Sequence, residues 1–342
     1  MFNNSIKLIF ILSLFISSLI SISSFSWFNM WMGLEINLLS FIPLIMKLTD
    51  NLSSTEASIK YFLIQAFSSN LLLFFIIFFS FFSLNHSSKN LILNFFIILV
   101  ISMKMGTAPF HIWFIQISEN LNWMNNLILM TWQKIAPLII ISYCFNFFLF
   151  NFLSLYTILI GTIGGLNQIS LRKLMAYSSI NHLGWLLLSI MINMNSFKLY
   201  FFMYVITTMT ISIMFNTFNF FFLNQLFNKT FSIYLKFLLN LPILSLGGLP
   251  PLLGFFPKWM VLEMLIKFNF IFLSLYICYF SLFAIFFYIR IMYNFLLLNH
   301  FETKISYKKK NNLFSLKLII MNSLLLMFTM FSLFFFNLMF SF

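Results

Sequence analysis

Residues 103–113 read MKMGTAPFHIW, inside one of the most apolar regions of the chain. A helix that only has to cross a bilayer has little use for Lys104, Gly106, Pro109, His111 and Trp113 in one short run. Proline deletes a backbone hydrogen bond and clashes with the preceding turn. In hydrocarbon the freed carbonyls must find partners in protein or water, so such breaks occur where a cavity or the protein interior receives them. The stretch therefore predicts a membrane helix interrupted beside a polar interior, with a charge at the interruption.

The surrounding composition is that of a polytopic membrane protein. Of 342 residues, 62% are hydrophobic and 7% charged, with a mean hydropathy of +1.01. Soluble domains carry about a quarter charged residues. The longest polar stretches, 47–60 and 299–312, are shorter than the roughly 50 residues a domain needs, which excludes a soluble catalytic lobe in this sequence. The chain has 53 phenylalanines alongside many Ile, Asn, Lys and Met, with Arg172 and Arg290 the only arginines. Lipid accepts any bulky apolar residue, so this choice points to an AT-rich genome and not to a binding site. Cys144 and Cys278 lack Cys-x-x-Cys spacing and fall short of the about four ligands an iron–sulfur cluster needs. Both are expected as buried thiols. The N-terminus lacks the Arg-rich amphipathic character of a transit peptide and leads straight into a span.

A span needs about 20 mostly apolar residues. Eleven are expected, near 6–25, 27–47, 57–83, 91–118, 127–149, 150–168, 174–194, 198–226, 237–266, 270–297 and 313–342. Threading them alternates the loops between two faces. Twelve Lys and Arg residues fall on the N-terminal face and three (Lys89, Lys198 and Lys267) on the other. Basic loops stay on the synthesis side, so the N-terminus is expected in the cytoplasm or matrix and the C-terminus across the membrane. Ordinary anchoring of this kind explains the spacer SYKKKNN (Ser306–Asn312), which also suits anionic headgroups such as cardiolipin.

A second break, GGLPPLLGFFPKW (Gly247–Trp259), interrupts the ninth span with Gly247, Pro250, Pro251 and Pro257. Both breaks contain Gly-x-x-Pro, and both have a lysine within a few turns. Matching breaks in two halves suggest inverted repeats around a central ion path. Glu35 precedes Pro109 by 74 residues and His182 precedes Pro250 by 68. Five spans separate the breaks, and an odd offset inverts one half. The expected fold is thus an all-α polytopic membrane protein of about 11 transmembrane helices in one transmembrane domain. It has two inverted five-helix repeats, each with one broken helix, with 27–149 as the first half-repeat, 150–297 as the second and a C-terminal helix over 313–342.

Four charges lie deep in these spans. Glu35 is eight residues into the second, about 12 Å along a helix. Lys104, Lys134 (in TWQKIAP) and Lys258 (in FFPKWM) are similarly deep. Each costs about 2.5–3.5 kcal/mol at mid-membrane, which makes a functional role the default expectation. A static ion pair is the competing one. Snorkelling suits Lys267 and Arg290, and Glu263 is expected at the interface. Three deep cations against one carboxylate cannot all be comfortably protonated, so at least one lysine should be neutral much of the time, as a proton carrier requires. A Glu–Lys contact near 4 Å is worth on the order of 4 kcal/mol. Moving one charge costs about 2.3 kcal/mol per 100 mV, so making and breaking one such pair is large enough to drive a proton. His182 (in SSINHLGW) and His111 are second-tier candidates. A histidine can relay protons, but His182 equally suits packing and His111 equally suits capping the freed carbonyls. Gly161, Gly164 and Gly165 read as a small-residue helix contact, without the spacing of a nucleotide loop.

The motifs MGLEINLLSFIPL, MKMGTAPFHIWF, TWQKIAP, YSSINHLGW and GGLPPLLGFFPKW, from residue 32 to 259, resemble those of the mitochondrial NADH–ubiquinone oxidoreductase chain 2 family. These are antiporter-like membrane subunits of respiratory complex I, and the composition resembles that of an arthropod mitochondrial genome. The resemblance implies five spans per inverted repeat and a chain of polar residues across the membrane plane. By motif it implies Glu35 and Lys104 as a coupling ion pair, Lys134 as a bridging lysine, Lys258 as the lysine of the second half-channel and His182 on the central axis. Full-length relatives have fourteen spans, so this chain is expected to lack the first three. The implied location is the mitochondrial inner membrane, with the N-terminus in the matrix and the C-terminus in the intermembrane space. The implied partners are neighbouring membrane-arm subunits, including other antiporter-like chains, and no nucleic acid. No cofactor or metal is expected here: NADH, FMN, iron–sulfur clusters and ubiquinone belong to other subunits. The implied function is proton translocation coupled to NADH-to-ubiquinone electron transfer. The alternatives are a stand-alone cation/proton antiporter subunit and a structural scaffold with static ion pairs.

Overall fold

The computed structural model describes residues 2–46, 52–82, 87–228, 233–250 and 252–297. The expected eleventh span, the basic spacer and Pro251 lie outside the described residues. The described chain is helical apart from loops and one isolated antiparallel bridge, Ser170–Phe222. Its helices are α1 Phe2–Ser23, α2 Trp27–Ile45, α3 Leu52–Phe82, α4 Ser87–Met105, α5 Ile112–Asn120, α6 Trp123–Met130 and α7 Trp132–Tyr143. They continue as α8 Phe147–Leu166, α9 Leu171–Ile192, α10 Met194–Phe218, α11 Leu223–Asn228, α12 Ile233–Gly247, α13 Phe255–Lys267 and α14 Ile271–Leu297.

Eight stretches among the described residues are long and apolar enough to cross a membrane. The expected fourth and ninth spans are absent from that set because each is split, into α4/α5 and α12/α13. The join expected at 149/150 falls earlier, since α7 ends at Tyr143 and α8 begins at Phe147. No glycine or proline marks it. The signal is Asn146, whose side-chain oxygen accepts the Leu149 N–H at 3.4 Å, a typical helix N-cap contact.

Serines inside these helices satisfy themselves locally. Ser17, Ser21, Ser178, Ser179 and Ser189 each donate to the carbonyl three residues earlier, at 2.7–2.9 Å. This back-bonding lets hydroxyls sit in a membrane interior without orphaned donors.

The chain divides into two compact units, the first ending at Thr157 and the second beginning at Ile158, within α8. In the first unit α3 packs against α2 and against both halves of the broken helix, α4 and α5, while α7 packs on α4. In the second unit α10 packs against α9 and against both halves of its broken helix, α12 and α13, while α14 packs on α12. The glycine stripe of α8 is a close helix contact. A Cβ at Gly161 would lie 2.6 Å from the Asn181 nitrogen of α9, and one at Gly165 would press on Phe287 of α14. Cys144 is buried as expected, but Cys278 is exposed on α14. An apolar helix announces the membrane without saying which of its faces meets lipid. Arg290 lies within α14 and not at its end, and it is half-buried.

Candidate functional site

The first break is built by closing the end of α4. Its last carbonyls lack intrahelical partners, and neutral groups supply them. Ser102 O accepts from the Thr107 backbone N–H and hydroxyl, both at 3.1 Å. Met103 O accepts from Gly106 N at 3.2 Å and from the Trp113 indole at 3.2 Å. Lys104 O accepts from the Gln65 amide of α3 at 3.0 Å. Gly106 makes the turn with φ +70, a conformation that favours glycine. His111, at the far side of the break, pairs through Nδ1 with Pro109 O at 3.1 Å.

With the carbonyls closed, the Lys104 side chain is left to the interior. Lys104 and Lys134 line the same cavity of about 20 Å³, together with Asn37, Tyr61, Gln65, Gln133 and the Trp113 and Phe114 rings. That volume is room for about one water molecule. Tyr61 donates to Gln133 Oε1 at 3.4 Å, and Gln133 Nε2 donates to Asn37 Oδ1 at 3.0 Å. The Lys134 ammonium stands 4.9 Å from the centre of the Phe114 ring, within cation–π range. Lys104 and Lys134 keep 7% and 1% exposure, and Lys258 keeps 6%. Snorkelling is therefore excluded for all three.

Glu35 is half-buried on α2, and its Oε2 is buried without a hydrogen-bond partner. Its charge acts on Lys104, yet the two form no ion pair within 4.0 Å. The contact near 4 Å expected from the sequence is thus open in this structure. The ion pairs found at Glu56–Lys60 (2.5 Å) and Glu263–Lys267 (2.6 Å) are i,i+4 pairs on accessible helix faces.

The second break closes differently. Leu244 O and Ser245 O accept from Gly248 N, at 3.2 and 3.0 Å. The next two carbonyls are taken by a lysine: the Lys258 ammonium donates to Gly247 O at 2.7 Å and Leu246 O at 3.4 Å. A cation at a helix C-terminus also meets the negative end of the helix dipole. Gly248 has φ +80, and a Cβ there would lie 2.9 Å from the Lys258 side chain. Pro257, expected among the helix breakers, sits in the first turn of α13. No intrahelical partner exists there for its missing N–H, so it opens the second half and breaks nothing.

Lys258 is 5.8 Å from the Trp185 ring of α9. His182, one turn earlier on α9, pairs through Nδ1 with the Tyr200 hydroxyl at 2.9 Å and lies 5.1 Å from the Tyr204 ring. Tyr204 in turn bonds Ser179. The buried phenol of Tyr288 belongs to the same cluster. Sequence reading passed over these tyrosines, as it did Asn37, Tyr61, Gln65 and Gln133. The structure brings Lys104 and Lys134 to one cavity in the first unit, and in the second places Lys258 by Trp185 and His182 by Tyr200.

A family model and the curated relatives show the family, and solved structures share the fold. The model of the NADH:quinone oxidoreductase/Mrp antiporter transmembrane region matches residues 24–283. NADH-ubiquinone oxidoreductase chain 2 of Anopheles gambiae is 49% identical over 309 residues, 89% of each chain. The protein of the same name from Locusta migratoria is 44% identical over 307 residues, covering 88% of this chain and 89% of the relative. That of Didelphis virginiana is 39% identical over 297 residues, covering 82% and 83%. Among solved structures, a chain of respiratory complex I from Thermus thermophilus with bound aureothin shares the fold at a TM-score of 0.79 and 19% identity, over 95% of this chain and 78% of that one. A chain of the Mrp complex from Dietzia sp. DQ12-45-1b does so at 0.75 and 16%, over 84% and 60%. This chain belongs to the NADH-ubiquinone oxidoreductase chain 2 family.

Proposed function

We propose that this chain is a proton-translocating membrane-arm subunit of respiratory complex I in the mitochondrial inner membrane. Electron transfer from NADH to ubiquinone takes place in other subunits, which hold NADH, FMN, iron–sulfur clusters and ubiquinone. Its partners are the neighbouring membrane-arm subunits, other antiporter-like chains among them, and lipids such as cardiolipin.

The observation that carries this reading is the shared cavity of Lys104 and Lys134. An ammonium can hand its proton to a water in that space, and a neutral amine across it can accept one. Amides and a phenol supply both donors and acceptors along the wall. Glu35 is the carboxylate whose charge reaches Lys104. Closing their gap to about 4 Å would change the pair energy by on the order of 4 kcal/mol, more than the about 2.3 kcal/mol that one charge needs per 100 mV. Lys258, His182 and the tyrosines around them form the corresponding polar interior of the second unit.

In each unit both halves of the broken helix pack on one long helix, and the first half also packs on the span that follows the break, which supports two copies of a five-helix element. The broken spans are the fourth and the ninth of eleven, and this odd offset gives the copies opposite topology. The skew of Lys and Arg toward one set of loops supports an N-terminus in the matrix and a C-terminus in the intermembrane space.

A stand-alone cation/proton antiporter is the second reading, favoured by the fold shared with the Mrp complex chain. A scaffold with static ion pairs is disfavoured because Glu35 and Lys104 form no ion pair within 4.0 Å. Isolation of the membrane complex that contains this chain decides among them. Co-purifying flavin and iron–sulfur subunits, with NADH-driven proton uptake in liposomes that a Lys134→Met variant diminishes, would support the proposal. A flavin-free complex that exchanges cations for protons would support the antiporter, and normal pumping by Lys134→Met the scaffold.

A further inference from the structure

The two breaks solve one chemical problem with different groups. Each leaves the carbonyls of a helix end inside the protein at membrane depth, where unpaired polar groups cost several kcal/mol. At the second break a lysine ammonium is the cap, since Lys258 holds Gly247 O and Leu246 O. At the first break the corresponding lysine caps nothing. Its own carbonyl is taken by Gln65 at 3.0 Å, and the carbonyl before it by Trp113 at 3.2 Å. Yet Lys104 stands in the last turn of α4, where a lysine side chain can fold back on the last carbonyls.

We propose that Gln65 is a positioning residue for Lys104: its neutral amide occupies the carbonyl that would otherwise draw in the ammonium, and so keeps that ammonium on the cavity shared with Lys134. Gln65 is itself 6% exposed and lines the same cavity. Its amide therefore reaches the backbone while its body fixes the wall. Trp113 does the same one carbonyl earlier, and its ring also faces the cavity. Without these caps the first break would come to resemble the second, with its lysine bound to carbonyls. The inference rests on Lys104 as a proton carrier.

The test uses the assembled complex in liposomes, with Gln65→Met, which keeps the volume and removes the donor, and Gln65→His, which returns an N–H at nearly the same reach. Gln65→Met is expected to assemble and to pump roughly fivefold more slowly, the weight of about one net hydrogen bond, with Gln65→His close to the parent. In a Lys104→Met background Gln65→Met is expected to add nothing. A map of the Gln65→Met complex should show the Lys104 ammonium moved onto the Met103 or Lys104 carbonyl. Unchanged pumping in Gln65→Met, a further loss on top of Lys104→Met, or an ammonium that stays on the cavity would overturn the inference. Normal pumping by Lys104→Met alone would instead remove the functional reading beneath it. Should Gln65→Met not assemble, Trp113→Phe carries the same expectations, because it keeps a ring and loses only the bond to Met103.

Discussion

Lys258 holds two roles that substitution can separate. It caps α12 through Gly247 O at 2.7 Å and Leu246 O at 3.4 Å, and it is proposed to carry a proton. Lys258→Met removes both roles. Lys258→Arg keeps a cation and its donors but stays charged at any accessible pH. The 2.7 Å bond involves a charged donor, and such bonds contribute about 1.5–3 kcal/mol each. Opening the break should become easier by that amount in Lys258→Met. At a factor of ten per about 1.4 kcal/mol, amide protection at Gly248 and Leu252 falls by roughly 10- to 150-fold. Hydrogen exchange read by mass spectrometry on the intact complex measures this directly. Lys258→Arg should retain most of the protection while losing proton pumping. Unchanged protection in Lys258→Met would refute the capping role, and full pumping by Lys258→Arg would refute the proton-carrying role, independently of each other.

Three further outcomes follow from the geometry. Gly254→Ala should abolish assembly of the chain into its complex, because a Cβ there would collide with the Ser245 carbonyl oxygen of α12; a native gel showing normal assembly would contradict so close an approach at this turn. Gln133→Leu leaves the buried Asn37 oxygen without its 3.0 Å donor, at about 1–3 kcal/mol, so the inactivation temperature of the complex should drop. Lys60→Ala breaks the exposed pair with Glu56, worth at most about 0.5 kcal/mol, and should leave both stability and pumping unchanged in the same assays.

The breaks and the deep charges were legible in the sequence because both are local chemical statements. Proline cannot serve a helix interior, and a charge at mid-span is costly wherever it lies. MKMGTAPFHIW and GGLPPLLGFFPKW therefore announced the two split helices from their own residues. What each lysine does there was not local. Lys104 and Lys258 look alike beside their prolines, yet one lines a cavity and the other caps a helix, and the difference is set by Gln65, 39 residues away on another helix. A lone glutamine in an apolar span has no periodic pattern to mark it. Tyr200, Tyr204 and Tyr288 were hidden for a different reason. In a chain that is 21% aromatic, a phenol that bonds a histidine resembles one that only fills space. The Glu35–Lys104 pair shows the remaining limit: spacing along two helices brings the charges into range, but the side-chain conformations decide whether they touch.

Whether Lys104 moves protons is tested most directly by the number of protons pumped per NADH oxidised by the complex in sealed liposomes, comparing the parent with Lys104→Met. Proton carriage by Lys104 predicts normal assembly and a lowered ratio of protons to electrons. An assembled Lys104→Met complex with the parent's ratio would contradict it.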